Sequence, residues 1–323
     1  MSKNKYTSIG GQALIEGIMM KSPDKSVIAV RTKDGEIEVF EPEELNLRKK
    51  YKILTLPIIR GVISFVEAMI NGYKALMLSA EKSGFTDLDE DGKEKTEKDD
   101  KKESLIINSV MVLASILGVV LALVLFTALP RFAVGGLETL LGKSFSSVTR
   151  SLIEQFLKLT VFVAYVWGVS FMKDIKRTFM YHGAEHKTIF CYENGLELTV
   201  DNVKKQKRFH PRCGTSFMIL MILVSVIIST VAQILFKGIY DSALLWILIK
   251  ILLIPVTCGV GFEILKICGK YDNVITRIIS APGLWLQRIT TKEPDDGMIE
   301  IAIAAFKACS EKIEEEKPEN DNI

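Results

Sequence analysis

"HPRCGTSFMILMILVSVIISTVAQILF", residues 210–236, poses both the question of the fold and the question of the chemistry. Its last 22 residues, Thr215 to Phe236, carry no charged side chain. A bilayer core needs about 20 such residues in a helix. Lipid offers backbone groups no partner, so the stretch reads as a spanning helix rather than a strand. Working outward, three further runs fit the same description. Leu105 to Leu129 is 25 residues without a charge, and Leu152 to Met172 carries Glu154 and Lys158 near its start. Ala243 to Ile264 contains Lys250, which is expected to snorkel toward the surface.

Composition agrees with a mixed object. The 323 residues are 48% hydrophobic and 25% charged, with a mean hydropathy of +0.25. That is too apolar for an average soluble protein and too charged for one that is all membrane. The net charge of +2 selects no partner, and no nucleic acid is expected. Five scattered cysteines give no disulfide framework. The N-terminus, "MSKNKYTSIGGQALIEG", lacks the apolar core of a cleavable signal peptide.

Lysine and arginine bias sets the expected orientation. The connection between spans two and three holds Lys173, Lys176, Arg177, Lys187, Lys204, Lys205, Lys207, Arg208 and Arg212. Between spans one and two there are only Arg131, Lys143 and Arg150, and between three and four only Lys237. Positive charge stays inside, so a multi-pass protein of the plasma (bacterial inner) membrane is expected, with both termini in the cytoplasm. The stretch Pro57 to Leu78 is long and apolar, but Arg60, Ser64, Glu67, Asn71 and Lys74 recur every three or four residues. All its polar groups fall on one helical stripe, so it reads as an amphipathic helix, at the interface or on a soluble core. The alternative is a partly inserted helix whose stripe, Glu67 included, lines a site.

The water-facing parts carry other signals. "VIAVRTKDGEIEVF", residues 27–40, alternates around a Lys-Asp-Gly turn and reads as a β-hairpin. "GGQALIEGIMM", residues 10–20, offers another strand, in which Glu16 is a candidate ligand or base. "LELTVDNVKKQ", residues 196–206, reads as a short strand and then a helix capped by Asp201. The expected fold is a mainly α membrane protein with four transmembrane helices, a small cytoplasmic α+β domain and interfacial amphipathic helices. Its expected divisions are a β-rich segment (1–50), an amphipathic helix (51–85), a charged flexible linker (86–103), spans one and two (104–172), a cytoplasmic loop (173–213), spans three and four (214–267), interfacial and cytoplasmic helices (268–309) and an acidic tail (310–323).

The chain's three histidines, His182, His186 and His210, all lie in or beside the cytoplasmic loop. In "HGAEH", His182 and His186 share one helical face, close enough to hold one metal ion, with Glu185 beside them. H-x-x-E-H is the inverzincin order, in which the carboxylate takes a proton from water that the metal has acidified. "HPRCG" adds His210 and Cys213, both good zinc donors, and Cys191 is a further candidate ligand. Three readings follow: an open zinc site with Glu185 or Glu16 as base, a closed structural site of three histidines and Cys213, or hydrogen-bonded histidines with no metal. Cys213 also has the position of an activated thiol, near a helix start and a histidine.

"GGQALIEGIMMK", "LPIIRGVISFVEAMINGYKALMLSA", "YHGAEHKTIFCYENGLELTV", "RFHPRCGTSF" and "PGLWLQRITTKEPDDGMIEIAIAAF" together resemble the YqhQ-like family of bacterial multi-pass membrane proteins. Its members are described as predicted metal-dependent enzymes. The resemblance implies the membrane topology and a metal site but no substrate, and adds Glu293, Asp295, Asp296 and Glu300 as polar groups without a defined role. The expected function is a cytoplasm-facing hydrolase with zinc or another divalent metal on His182, His186, His210 and Cys213, acting on a peptide or lipid-linked substrate. The alternative is a non-catalytic scaffold, sensor or transporter with a structural metal. The expected partners are the lipid bilayer and the substrate, with a homo-oligomer left open.

Overall fold

The alternation in residues 10–40 builds a four-stranded antiparallel meander: β1 (Gly10–Leu14), β2 (Gly17–Lys21), β3 (Ser26–Arg31) and β4 (Ile37–Phe40), in that spatial order. The computed structural model describes residues 7–85, 113, 116–211, 213–236, 242–271 and 273–315. The expected hairpin is present as β3 and β4, with Gly35 at φ 83° in its turn. "GGQALIEGIMM" forms two strands rather than one. Glu16 turns the chain between them at φ 50°, and its carbonyl accepts the N–H of Arg31 at 2.8 Å.

Both faces of the sheet are covered. Ile18 and Met20 of β2 and Val27 and Ala29 of β3 pack with α4 (Lys173–Glu193) and α8 (Asp296–Glu315). The alternate residues Met19, Ile28 and Val30 pack with Ala75 and Leu76 of α1 (Ile59–Lys82). A period of two thus feeds two cores at once, and burying each large side chain contributes about 1.5–3 kcal/mol. Apart from the exposed Lys74, the polar stripe of α1 faces protein. Glu67 accepts the N–H groups of Leu47 and Arg48 at 2.7 and 3.2 Å and pairs with Arg48 Nε at 2.8 Å. Asn71 exchanges two bonds with the backbone of Leu45, and Arg60 binds Glu263 through two nitrogens. Its apolar residues Met69, Ile70 and Tyr73 are exposed instead.

Among the described residues, four helices are long and apolar enough to cross a membrane: α2 (Ile116–Leu141), α3 (Ser147–Val169), α5 (Gly214–Leu235) and, over Leu248–Cys268, α6 (Ala243–Lys270). The first extends beyond the expected end at Leu129, because a π turn over Val124–Ala128 carries the helix past Pro130. The part of the expected span before residue 113, the charged linker and the last eight residues of the acidic tail lie outside the described residues. Lys250 does not snorkel; its Nζ meets Glu154 Oε2 at 3.4 Å. The helix α7 (Val274–Thr290) exposes Val274, Ile278 and Trp285, as an interfacial helix does. No strand forms at residues 196–199; the short helix Val200–Lys204 is capped by the Thr199 side chain rather than by Asp201.

The chain divides into two compact units. Unit 1 comprises Met1–Asp87, Val166–Met221 and Pro255–Ile323, and holds the sheet, α1, α4, α7 and α8. Unit 2 comprises Leu88–Tyr165 and Ile222–Ile254.

Candidate metal centre

Helix α4 supplies two imidazoles from one face. His182 and His186 are one turn apart, and their ring centroids lie 4.4 Å from each other. Gly183 between them is required by a close approach: a Cβ there would overlap the carbonyl oxygen of Lys292. Lys292 in turn donates its N–H to the Phe179 carbonyl at 2.8 Å, so the segment after α7 lies directly on α4.

That crossing fixes the imidazoles. His182 Nδ1 lies 2.9 Å from the Thr290 carbonyl oxygen, and His186 Nδ1 lies 2.5 Å from the Arg208 carbonyl oxygen. A carbonyl only accepts, so both rings carry their proton on Nδ1 and present an Nε2 lone pair inward. This is the arrangement that orients metal-ligating histidines in general. His182 Nε2 is 3.0 Å from Cys213 Sγ, and His186 Nε2 is buried without a hydrogen-bond partner. The ligand atoms of His182, His186 and Cys213 all lie within 4.8 Å of one another.

Cys213 precedes the first residue of α5, and its sulfur accepts the Thr215 N–H at 3.4 Å. The turn is clamped by Gln287, which is fully buried. Its amide accepts the His210 N–H at 2.7 Å and donates to the His210 carbonyl at 2.7 Å and to Ser216 Oγ at 3.0 Å.

Glu185 completes the centre. Its carboxyl is buried and borders a cavity of about 220 Å³ that is also lined by Ser8, Gly11, His186, His210 and Cys213. Burial pushes its pKa up to about 7, against the smaller opposing effects of His182 and the Gly11 backbone. Burial also lowers the pKa of His186, which favours the neutral ring. Gly11 lies close to both its neighbouring strand and this carboxyl, since a Cβ there would stand 2.8 Å from the Met19 carbonyl oxygen and 2.9 Å from Glu185 Cδ.

The other expected site residues lie outside the group of three. His210 is buried but outside the group of three; its Nε2 faces Glu193 Oε2 at 3.7 Å and its ring packs on Phe190. Gln287 holds the His210 backbone, and the His210 ring centroid lies 5.7 Å from that of His186, on the same cavity. Glu16 binds Arg177 through both carboxylate oxygens and accepts Tyr181 Oη–H at 3.1 Å, so it braces the turn against the helix. Cys191 is a core thiol, its pKa raised by burial. Glu67 is taken up by Arg48. Glu293 pairs with Lys187 and Arg208, Asp296 with Lys204 and Glu300 with Arg31, while Asp295 accepts the Met298 N–H at the start of α8. The sequence reading missed Thr290 and Gln287. Only the amphipathic period of α7, which buries Leu286, Gln287 and Thr290 on one side, hints at them.

Four apolar helices, a small sheet and a buried His-His-Cys group define the class: a mainly helical, membrane-type protein with a candidate metal centre. The family model described as "Protein of unknown function (DUF1385)" matches residues 56–312, and the chain belongs to that family. It is also similar to the uncharacterized protein YqhQ of Bacillus subtilis (strain 168), with 36% identity over 310 residues that cover 95% of this chain and 93% of that one. No solved structure matches it. The family match includes all three candidate ligands and begins after the sheet.

Proposed function

We propose that the protein is a metal-dependent hydrolase of the bacterial plasma membrane, with its centre and both termini on the cytoplasmic side. The ligands in this reading are His182 Nε2, His186 Nε2 and Cys213 Sγ. Two borderline nitrogens and one soft sulfur suit zinc, with other divalent ions as weaker fits. Three protein ligands leave a fourth position open, as in catalytic rather than structural zinc sites. A divalent ion there would supply a Lewis acid and activate water near neutral pH. Glu185 is the base, one residue from His186 and beside the cavity, able to take a proton from the attacking water and return it to the leaving group. A peptide or lipid-linked substrate would reach the cavity from the inner leaflet.

The observation that carries this reading is the pair of Nδ1-to-carbonyl contacts, which turn two buried Nε2 lone pairs toward one cysteine sulfur. The test is cobalt substitution of the full-length protein. The expected spectrum has thiolate-to-cobalt charge transfer that is lost in Cys213→Ser, and ligand-field bands that shift when a hydroxamate is added. Bands indifferent to hydroxamate would mean a filled coordination shell and would remove the hydrolase. Reporter fusions at each terminus test the orientation; an external terminus contradicts it.

A further inference from the structure

The exposed surface of α1 changes character along the helix. From Ile58 to Tyr73 the exposed residues are apolar or aromatic, with Ile58, Val66, Met69 and Ile70 among them. From Lys74 to the helix end they are Lys74, Glu81 and Lys82, all charged. An apolar face left open in this way marks a contact surface. It lies opposite the stripe through which Glu67 and Asn71 bind protein.

The two ends of α1 show what covers the face. The apolar end packs on a span: a Cβ on Gly61 would stand 2.9 Å from Gly259 Cα of α6, and one on Gly259 would stand 2.8 Å from the Ile58 carbonyl oxygen. Gly259 falls within Leu248–Cys268, the part of α6 long and apolar enough to cross a membrane. Small residues let helices meet backbone to backbone in lipid. Beside the crossing, Arg60 Nε and Nη2 stand 2.7 and 2.5 Å from the Glu263 carboxylate, and charges at membrane depth pair in this way. Along α6, Val256 and Ile267 are exposed on either side of the crossing. The charged end of α1 packs on the sheet instead. Ala75 and Phe40 of β4 share one core, and Lys82 Nζ meets Glu38 Oε1 at 2.7 Å. Residues 45–48 run back along α1, bonded to Asn71 and Glu67. The chain therefore leaves the sheet after β4 and returns to it at Ala75.

We propose that residues 53–73 are a re-entrant segment embedded in one leaflet, with the outer face of α1 against acyl chains. Residues 59–73 cover about 21 Å at 1.5 Å per residue, and one leaflet supplies about half of a 30 Å core, so the helix lies at a tilt. Tyr73 and Lys74 then stand at the headgroups, where an aromatic ring and a lysine are favoured. The other side of α1 lines a cavity of about 440 Å³ together with Gly10 and Gly11, which also line the cavity of the metal centre. Lipid and cavity thus flank one helix. The embedding requires neither a metal nor a reaction.

Photocrosslinking tests this on the full-length wild type in phosphatidylcholine vesicles that include a phosphatidylcholine with a mid-chain diazirine. Adducts are mapped by peptide mass spectrometry. Residues 59–73 are expected to carry about as many as Leu248–Cys268 and at least about tenfold more than the sheet, with the yield falling from Ile59 toward Tyr73. Adducts on α6 with no more on residues 59–73 than on the sheet overturn the proposal. An even or rising yield, the mark of a helix lying flat or reversed, overturns it as well. Adducts on neither helix remove the embedding and the span together. Hydroxyl radicals generated in the water give the complementary reading. Met69, 60% exposed, is expected to stay unoxidised in vesicles while Phe85, 42% exposed, is oxidised. Oxidation of both counts against lipid cover.

Discussion

Helix α4 and the spanning helices are inverted with respect to each other. In α4, every residue from Tyr181 to Ile189 is buried, although the run contains two histidines, a glutamate and a lysine. In α2, only 6% of the most apolar window is buried, and Phe132 and Leu140 are 76% and 83% exposed. Water explains neither. The spans show apolar side chains to a solvent that is itself apolar. The polar face of α4 is closed in by β1, by α8 and by the segment after α7, and it keeps an unmet nitrogen and an unmet carboxyl oxygen. Buried polar groups are nearly always paired. The difference is what the proposed function expects: lipid around the exposed spans and an ion at the buried centre.

Substitutions can break or sharpen this contrast. The largest effect is expected from Gly183→Ala. Backbone meets backbone there, so the segment carrying Thr290 must move off α4, at more than about 3 kcal/mol. Denaturant melts in vesicles would show it, and wild-type stability would mean that the crossing is not tight. Next is Leu252→Asp on the exposed face of α6, where Leu252 is 74% exposed. On a water-facing surface the change is nearly neutral; in lipid it costs about 3 kcal/mol. An insertion reporter distinguishes the two, and undiminished insertion would count against lipid contact there.

Gln287→Ala acts at a distance from the ion. It frees the His210 backbone and so loosens Cys213, lowering metal affinity about 10–100-fold with little loss of helicity. A competition titration against a chelator reads this, and unchanged affinity would deny the clamp. The smallest effect is Glu185→Gln in metal-free protein. The folded carboxyl has a pKa near 7 against 4.5 in the unfolded chain, so the folded state holds its proton more tightly. Stability therefore falls as pH rises from about 4.5 to 7 and stays lower above that. The glutamine variant is expected to match wild type at pH 4 and to exceed it at pH 8. Parallel curves would place Glu185 in water.

How much was legible in the sequence follows from the range of each signal. The spans, the 27–40 hairpin and the His182–His186 pair are local, set by run length, by a glycine turn and by a spacing of four. Glu16 was misread because a non-glycine residue at positive φ leaves no mark in a strand-like pattern. The Thr199 cap was missed in favour of Asp201, two residues on, within the uncertainty of any helix boundary. His210 looked equal to its neighbours because proximity along the chain says nothing of which atom a turn points inward. Gln287, which holds that turn, is 77 residues from His210. Lys250 was expected to snorkel for the same reason, since only packing brings it to Glu154.

Metal content tests the central claim most directly. Full-length wild type, His182→Ala, His186→Ala, Cys213→Ala and His210→Ala would be purified alike and assayed for bound metal by mass spectrometry. The account predicts one zinc per wild-type chain, retained in His210→Ala and lost in the other three. A wild type that stays empty after exposure to zinc, or a His186→Ala that binds as much as wild type, would contradict it.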